Sequence, residues 1–409
     1  MNILWLTPQL PCRIGGGQSR QWHLLRYLSE RHRVTVAALA SPLEQERVEE
    51  ARDCCQELLA IPYRPLVVEG KWRNRWHSWR QLLFDPWPHY ARTYPLGLLR
   101  PVVHHLLERN KYDIIHCEHL ASAPLRGDLG HSPAILGCQN VEHHVARQIL
   151  YAQRRVTRKI YCLIEWLKLY HFEEYWVRQF DGLTAVSKED VSVFQKMAPR
   201  VSVHLVPNGV DVDYFASPSD GRRRSEVLFV GTLGYWPNAD AVLFFCRDIW
   251  PLIRQDCPEA TLSIVGANPP PDLLHLSRAP EITVTGYVPD VRPYFWRAAL
   301  SVVPLRAGGG ARNKILESLA AQCPVVSTTL GATGLDLGSA EGLLRADEPR
   351  AFAQQVVALL REPARCEDLG NAGKLAVSQK YAWPSIVQRL EEAYARVLSR
   401  SKYLSRLGR

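Results

Sequence analysis

What the chain has little of narrows it first. Its ten cysteines are scattered, only Cys54 and Cys55 adjoin, and none stands in a Cys-x-x-Cys pair or a Cys/His spacing that would hold zinc. Reduced thiols and a cytosolic setting are the expectation. The start, Met1-Asn-Ile-Leu-Trp-Leu-Thr-Pro8, lacks a basic region ahead of its apolar run, and Pro8 and Gly15 cut that run too short for a signal peptide. No stretch reaches the roughly 20 apolar residues that a spanning helix needs. Glycine is modest too, at 25 of 409 residues, yet two triplets use six of them: Gly15-Gly16-Gly17 and Gly308-Gly309-Gly310. Neither triplet has the Gly-x-Gly-x-x-Gly spacing with a later acidic residue, nor a Walker Gly-Lys-Ser/Thr ending. A plain dinucleotide dehydrogenase and a P-loop NTPase are thereby disfavoured.

What is present fits a globular chain, with 46% hydrophobic and 22% charged residues. A length of 409 exceeds what one core usually covers, so two domains are expected. The net charge of +9 is uneven: residues 1–205 hold 27 Lys/Arg against 20 Asp/Glu, leaving 23 against 21 for the rest. A basic first half suits anionic lipid, nucleic acid or phosphorylated substrates, and charge alone does not choose among them.

Short continuous runs of Val, Ile and Leu recur between helix-like segments. They fall at 2–7, 34–39, 113–117, 134–138, 182–186 and 201–206, then again at 226–230, 261–265, 281–285, 300–304, 324–328 and 342–345. Runs without alternation read as strands buried on both faces of a parallel sheet, with helices as crossovers. The pattern predicts an α/β protein of two doubly wound, Rossmann-like domains, 1–207 and 208–384. The turn signal Pro207-Asn208-Gly209-Val210 marks the boundary, and a helix over 385–398 within a final segment 385–409 is expected to return to the first domain.

In such sheets ligands bind beyond the C-terminal ends of the strands, where both triplets fall. A glycine loop entering a helix lets backbone N–H groups approach an anion, and the helix start adds partial positive charge. After the second triplet, Lys314 and Glu317 share a helix face and Arg312 stands at its entrance. The two cations could neutralise a diphosphate and Glu317 could accept hydrogen bonds from ribose hydroxyls; a solvated Lys314–Glu317 ion pair is the plainer alternative.

The run Gly310-Ala-Arg-Asn-Lys-Ile-Leu-Glu-Ser-Leu-Ala-Ala-Gln-Cys-Pro-Val-Val-Ser-Thr328, with Gly331-Ala-Thr-Gly-Leu335 after it, resembles the donor motif of retaining glycosyltransferases of family 4, which have the GT-B fold. Asp181-Gly-Leu-Thr-Ala-Val-Ser187, Pro207-Asn-Gly-Val-Asp211, Leu228-Phe-Val-Gly-Thr232 and Val284-Thr-Gly-Tyr-Val-Pro-Asp290 extend the likeness along nearly the whole chain. The stretch 229–240 looks most like the branch that assembles bacterial exopolysaccharide. The resemblance implies a C-terminal domain that holds a nucleotide diphosphate sugar, an N-terminal domain that holds a glycan or lipid-linked acceptor, and reaction in the cleft between them. It implies Glu317 on the ribose, Tyr287 and Val288 at the base, Gly16 and Gly17 in the N-terminal loop that approaches the donor phosphates, and Gly231 among the donor-binding residues. No cofactor or metal is expected, nor is nucleic acid a partner.

This chain also departs from the family pattern. A second family glutamate is replaced by Gly309, so backbone N–H groups of Gly308, Gly309, Gly310 and Ala311 are left to meet the donor sugar. The usual Arg and Lys after the Val-Gly strand give way to Thr232 and Tyr235-Trp-Pro-Asn238, which shifts weight to Arg312 and Lys314. Relatives often carry a histidine at the end of a mid-domain strand; Gln139 or Asn140 of Gly137-Cys-Gln-Asn-Val-Glu-His-His144 stands there, with Glu142 and His143 near. A general base is left unassigned, since the leaving diphosphate can take the acceptor's proton. Asp211 and Asp213 read as helix-capping rather than metal-binding residues. Trp72, Trp76 and Trp79, at helical spacing among basic residues, suit either core packing or contact with an anionic membrane, which would place the protein at the inner face of the cell membrane. An epimerase of the same fold and a catalytically silent nucleotide-sugar-binding assembly protein stay open as alternatives.

Overall fold

A computed structural model describes residues 1–13, 16–64, 82, 85–153, 155–216, 223–308 and 312–406. The chain forms two compact units: Met1–Pro207 with the terminal stretch from Ile386, and Asn208–Gly308 with Arg312–Ser385. The segment with Trp72, Trp76 and Trp79, like Gly15, Gly309, Gly310 and Ala311, lies outside the described residues.

The first unit holds a seven-stranded parallel sheet. Its strands are β1 (Asn2–Thr7), β2 (Arg33–Ala40), β3 (Glu57–Pro62), β4 (Ile114–Glu118), β5 (Ala134–Cys138), β6 (Gly182–Ala185) and β7 (Ser202–Leu205), in the order β3-β2-β1-β4-β5-β6-β7. β1, β2, β4, β5 and β6 are almost wholly buried, as continuous apolar runs require of strands covered by helices on both faces. β3 was not expected: it is an edge strand, half-buried over its apolar middle Leu58-Leu59-Ala60-Ile61 and exposed at both ends.

The terminal helix, Trp383–Arg406, is longer than the 385–398 read from sequence. Several contacts hold its later part to the first unit, among them the following. Tyr394 hydrogen-bonds His116 at 2.8 Å, Glu391 meets His32 at 2.7 Å, and Val397 packs where a Cβ on Gly182 would come within 2.6 Å.

The second unit has a six-stranded parallel sheet in the order β10-β9-β8-β11-β12-β13. These strands are β8 (Arg223–Val230), β9 (Thr261–Val265), β10 (Ile282–Val284), β11 (Ala298–Val303), β12 (Val325–Ser327) and β13 (Leu343–Arg345). Its core joins Phe229, Phe245, Phe295 and Phe352 with the strand aliphatics, all essentially inaccessible to solvent. In both sheets the winding reverses between two neighbouring strands, β1/β4 in the first and β8/β11 in the second. Beyond the carboxyl ends of such a pair the loops diverge and leave a crevice.

Candidate functional site

In the second unit the reversal point gathers the residues the sequence singled out. β8 runs into Gly231, and β11 leads through Pro304 to Gly308 and the Asn313–Ala320 helix. Gly308 has φ 105°, a conformation side-chain-bearing residues rarely adopt, and a Cβ there would press on Pro237 at 3.3 Å. Gly231 is required for a different reason. A Cβ on it would stand 2.7 Å from Lys314 Nζ, so the ammonium passes over bare backbone.

Lys314 Nζ donates to Asn238 Oδ1 at 2.7 Å and sits 4.7 Å from the centroid of the Phe229 ring. Burial, reinforced by the nearby Arg312 charge, pulls its pKa down to about 7 despite Glu317. Glu317, one turn further on, is pushed up to about 7 by burial, which the Lys314 charge opposes. Among the described residues no ion pair joins the two, so the solvated-pair alternative fails: the lysine is turned to Asn238.

Arg312 corrects an expectation. It is buried at 7% exposure rather than standing at an open mouth, and its Nη2 donates to the carbonyls of Leu330 (2.9 Å) and Gly308 (3.2 Å). It ties the Gly308 carbonyl to the Leu330 turn, and its charge acts on Lys314. Tyr287 is 70% exposed beyond β10, next to Gly286 at φ 73°, while Val288 packs on the core. Asp211 caps the Val212–Phe215 helix, accepting from Tyr214 N at 3.0 Å. Among the described residues no group of three or more His, Cys, Asp or Glu could hold a metal ion.

The reversal point of the first unit is built differently. Gly16 and Gly17 open the Gly16–Ser29 helix, and a Cβ on Gly17 would collide with the Gln139 carboxamide at 2.1 Å. Gln139 Nε2 donates to Glu118 Oε1 at 2.8 Å. His116 meets Glu118 at 2.7 Å and stacks on Trp5 at 3.8 Å. Arg20, buried at 3%, donates to the carbonyls of Pro207 and Val206 at 2.7 and 2.8 Å and lies 3.9 Å from Glu118. Burial works against the Glu118 charge, but His116, Arg20 and Gln139 outweigh it and hold the pKa down to about 2. This carboxylate is a buried anion with its partners in place.

Asn140 and Glu142 follow β5 as expected, Asn140 Nδ2 reaching Glu142 Oε1 at 3.4 Å. Burial and the Glu173 charge push Glu142 up to about 7. Glu173 caps the Glu142–Ala152 helix, accepting from the backbone N–H of Glu142 (2.9 Å) and His143 (3.1 Å), and it binds His143 Nδ1 at 2.6 Å. His143 is thereby fixed to a helix cap.

His119 was not expected. The family resemblance points to a strand-end histidine after β5, whereas β4 runs directly into His119, whose φ of 78° is uncommon for a residue with a side chain. His119 bonds Tyr90 at 2.9 Å, and burial lowers its pKa to about 4 although Glu118 opposes this. The signal was available in Ile114-Ile-His-Cys-Glu-His119, a buried run ending in three polar groups beside β1.

A model of the glycosyltransferase family 4 matches residues 14–214, and a model of glycosyl transferases group 1 matches residues 224–362. The chain belongs to this glycosyltransferase family. Two curated relatives are 22% and 25% identical. One is an uncharacterized 44.6 kDa protein in the cps region of Klebsiella pneumoniae, matched over 60% of this chain and 65% of its own. The other is the D-inositol 3-phosphate glycosyltransferase of Xylanimonas cellulosilytica, matched over 56% of this chain and 60% of its own. The chain thus spans less than two thirds of the length of each.

Among solved structures, sucrose-phosphate synthase from Thermosynechococcus elongatus has a TM-score of 0.68 at 15% identity, covering 98% of this chain and 100% of that one. Anabaena HepE in complex with UDP also has 0.68 at 15%, covering 97% and 100%. These likenesses carry the fold, and the family member described here has the two-domain α/β fold of GT-B type.

Proposed function

We propose that the chain is a retaining glycosyltransferase that moves a sugar from a nucleotide diphosphate sugar to a glycan or lipid-linked acceptor in bacterial polysaccharide synthesis. The observation that carries the reading is the pairing of Lys314 and Glu317 one turn apart at the β8/β11 reversal, with Gly231 cleared for the ammonium. Family membership supports it, as does the binding of UDP and of UDP-glucose by HepE. The relative in the cps region favours a polysaccharide acceptor.

In this reading the Asn208–Ser385 unit takes the donor. Lys314, lowered to about 7 when empty, becomes fully protonated when a diphosphate arrives, and the backbone of Gly308, Gly309, Gly310 and Ala311 meets the donor sugar. Glu317 as carboxylate accepts from both ribose hydroxyls. Tyr287 and Val288 adjoin the base, and Arg312 holds the loop. The sugar C1–O bond to the diphosphate breaks as the acceptor oxygen bonds to C1 on the same face. The acceptor proton passes to the leaving phosphate oxygen, so positioning and charge stabilisation replace a protein base. The first unit takes the acceptor, with Gly16, Gly17, Asn140 and Glu142 at its crevice, and the reaction needs no metal.

Incubation with candidate nucleotide-sugars tests this. A transferase releases nucleotide diphosphate fully only with acceptor present, an epimerase isomerises the donor alone, and a silent binder does neither. Absence of acceptor-dependent release across uridine, guanosine and adenosine diphosphate sugars overturns the proposal.

A further inference from the structure

One helix of the first unit presents apolar side chains to solvent without any role in the transfer reading. Val156, Ile160, Leu163 and Leu167, spaced by four, three and four residues, form a single stripe on the Val156–Val177 helix and are 72%, 46%, 42% and 43% exposed. Ile149 (43%) and Tyr151 (72%) are exposed as well on the preceding Glu142–Ala152 helix. Beside the stripe opens a groove of about 470 Å³ lined by Trp87, Ile164, Leu167, Phe172 and Trp176 among others. Soluble surfaces rarely leave so much contiguous aliphatic area open.

The charge around the stripe has one sign. From His143 to Ile164 the sequence carries Arg147, Arg154, Arg155, Arg158 and Lys159 and no Asp or Glu. Among the described residues Arg147, Arg155, Arg158 and Lys159 make no ion pair. The acids that follow on the helix are turned elsewhere: Glu165 accepts from His89 N at 2.7 Å and meets Arg92 at 3.8 Å, Glu173 accepts from Glu142 N and His143 N, and Glu174 meets Arg178 at 2.6 Å. The helix is held firmly from its other end, where Leu169, Phe172, Glu173 and Val177 are buried.

We propose that this face docks on the surface of a bilayer containing anionic lipid. Aliphatic side chains enter the acyl boundary while arginine and lysine meet headgroup phosphates, as an interfacial amphipathic helix does. Two alternatives fit less well. A second copy of the chain would set one basic rim against another, and nucleic acid offers no hydrocarbon to cover Val156, Ile160 and Leu163. The proposal stands apart from the transfer reading, since docking requires no catalysis.

Vesicle sedimentation of the full chain tests it, with pure phosphatidylcholine against phosphatidylcholine carrying about one third phosphatidylglycerol. The wild type is expected to bind the anionic vesicles and to leave the neutral ones largely unbound. Ile160→Glu/Leu163→Glu should lower partitioning about tenfold or more, and Arg158→Ala/Lys159→Ala should lower it and blunt its dependence on salt. All four positions are solvent-facing, and an unchanged melting temperature verifies that the variants fold. The proposal is overturned if the wild type ignores anionic vesicles, if Ile160→Glu/Leu163→Glu binds them equally well, or if that variant instead converts a dimer to a monomer with vesicle binding intact.

Discussion

The two reversal points stand at the same place in similarly wound sheets and are furnished in opposite ways. In the second unit, a lysine and a glutamate on one eight-residue helix are both displaced to about 7, with glycines holding the space around them. In the first unit, Glu118 is already an anion matched by His116, Arg20 and Gln139, and it ties the ends of β4 and β5 to the Gly16–Ser29 helix. The first arrangement has charge whose balance a ligand would complete. The second is complete without one, which makes it a framework that orients its neighbours.

That contrast predicts its largest effect in the framework. Glu118→Ala removes the carboxylate from between a buried arginine and a buried histidine, and breaking a buried pair from one side costs about 3–5 kcal/mol. Denaturant unfolding should show that loss, whereas a loss under about 1 kcal/mol would mean the network is not the brace described. Glu118 also sets a pH dependence. Its folded pKa is held below the ordinary carboxylate value, so its stabilisation is present above that ordinary value and fades as pH falls toward about 2.

At the β8/β11 corner, Lys314→Ala should leave the fold intact and weaken nucleotide diphosphate binding on the order of a hundredfold, the scale of a charged hydrogen bond. Gly231→Ala should act in the same direction by displacing the ammonium, since its Cβ would fall 2.7 Å from Nζ. Titration calorimetry beside a thermal melt separates binding from folding. Donor affinity should be greatest near pH 7: above it Lys314 loses its proton, and below it Glu317 gains one. Glu317→Gln should flatten the acid limb alone.

Glu142 offers the reverse sign to Glu118. Its folded pKa is raised to about 7, so the stabilisation of its protonated form is present below the ordinary carboxylate value and is lost as pH rises through about 7. Glu142→Gln should therefore raise the melting temperature at pH 8 and leave it nearly unchanged at pH 4. The smallest effect belongs to Asp211→Ala, about 1 kcal/mol from the lost cap, with turnover insensitive to EDTA before and after.

The two corners also differ in how far the sequence disclosed them. The β8/β11 corner is legible because its parts are local: Gly308, Arg312, Lys314 and Glu317 fall within ten residues, and helical spacing alone aligns Lys314 with Glu317. What spacing did not reveal is direction. Arg312 turns inward to two carbonyls, and Lys314 turns to Asn238, 76 positions earlier. The other corner joins residues 17, 20, 116, 118, 139 and 394, which only the winding of the sheet brings together. Twelve of the thirteen described strands fall on apolar runs noted in the sequence, the edge strands β7, β10 and β13 among them; β3, whose Leu58-Leu59-Ala60-Ile61 is apolar too, was not expected.

The central claim is that the β8/β11 reversal binds a nucleotide diphosphate through Lys314. Calorimetric titration of UDP, GDP and ADP into the wild type and Lys314→Ala at pH 7 tests it most directly. The account predicts that at least one diphosphate binds the wild type and loses about a hundredfold in affinity in the variant. Binding of none of them, or equal binding by both proteins, would contradict it.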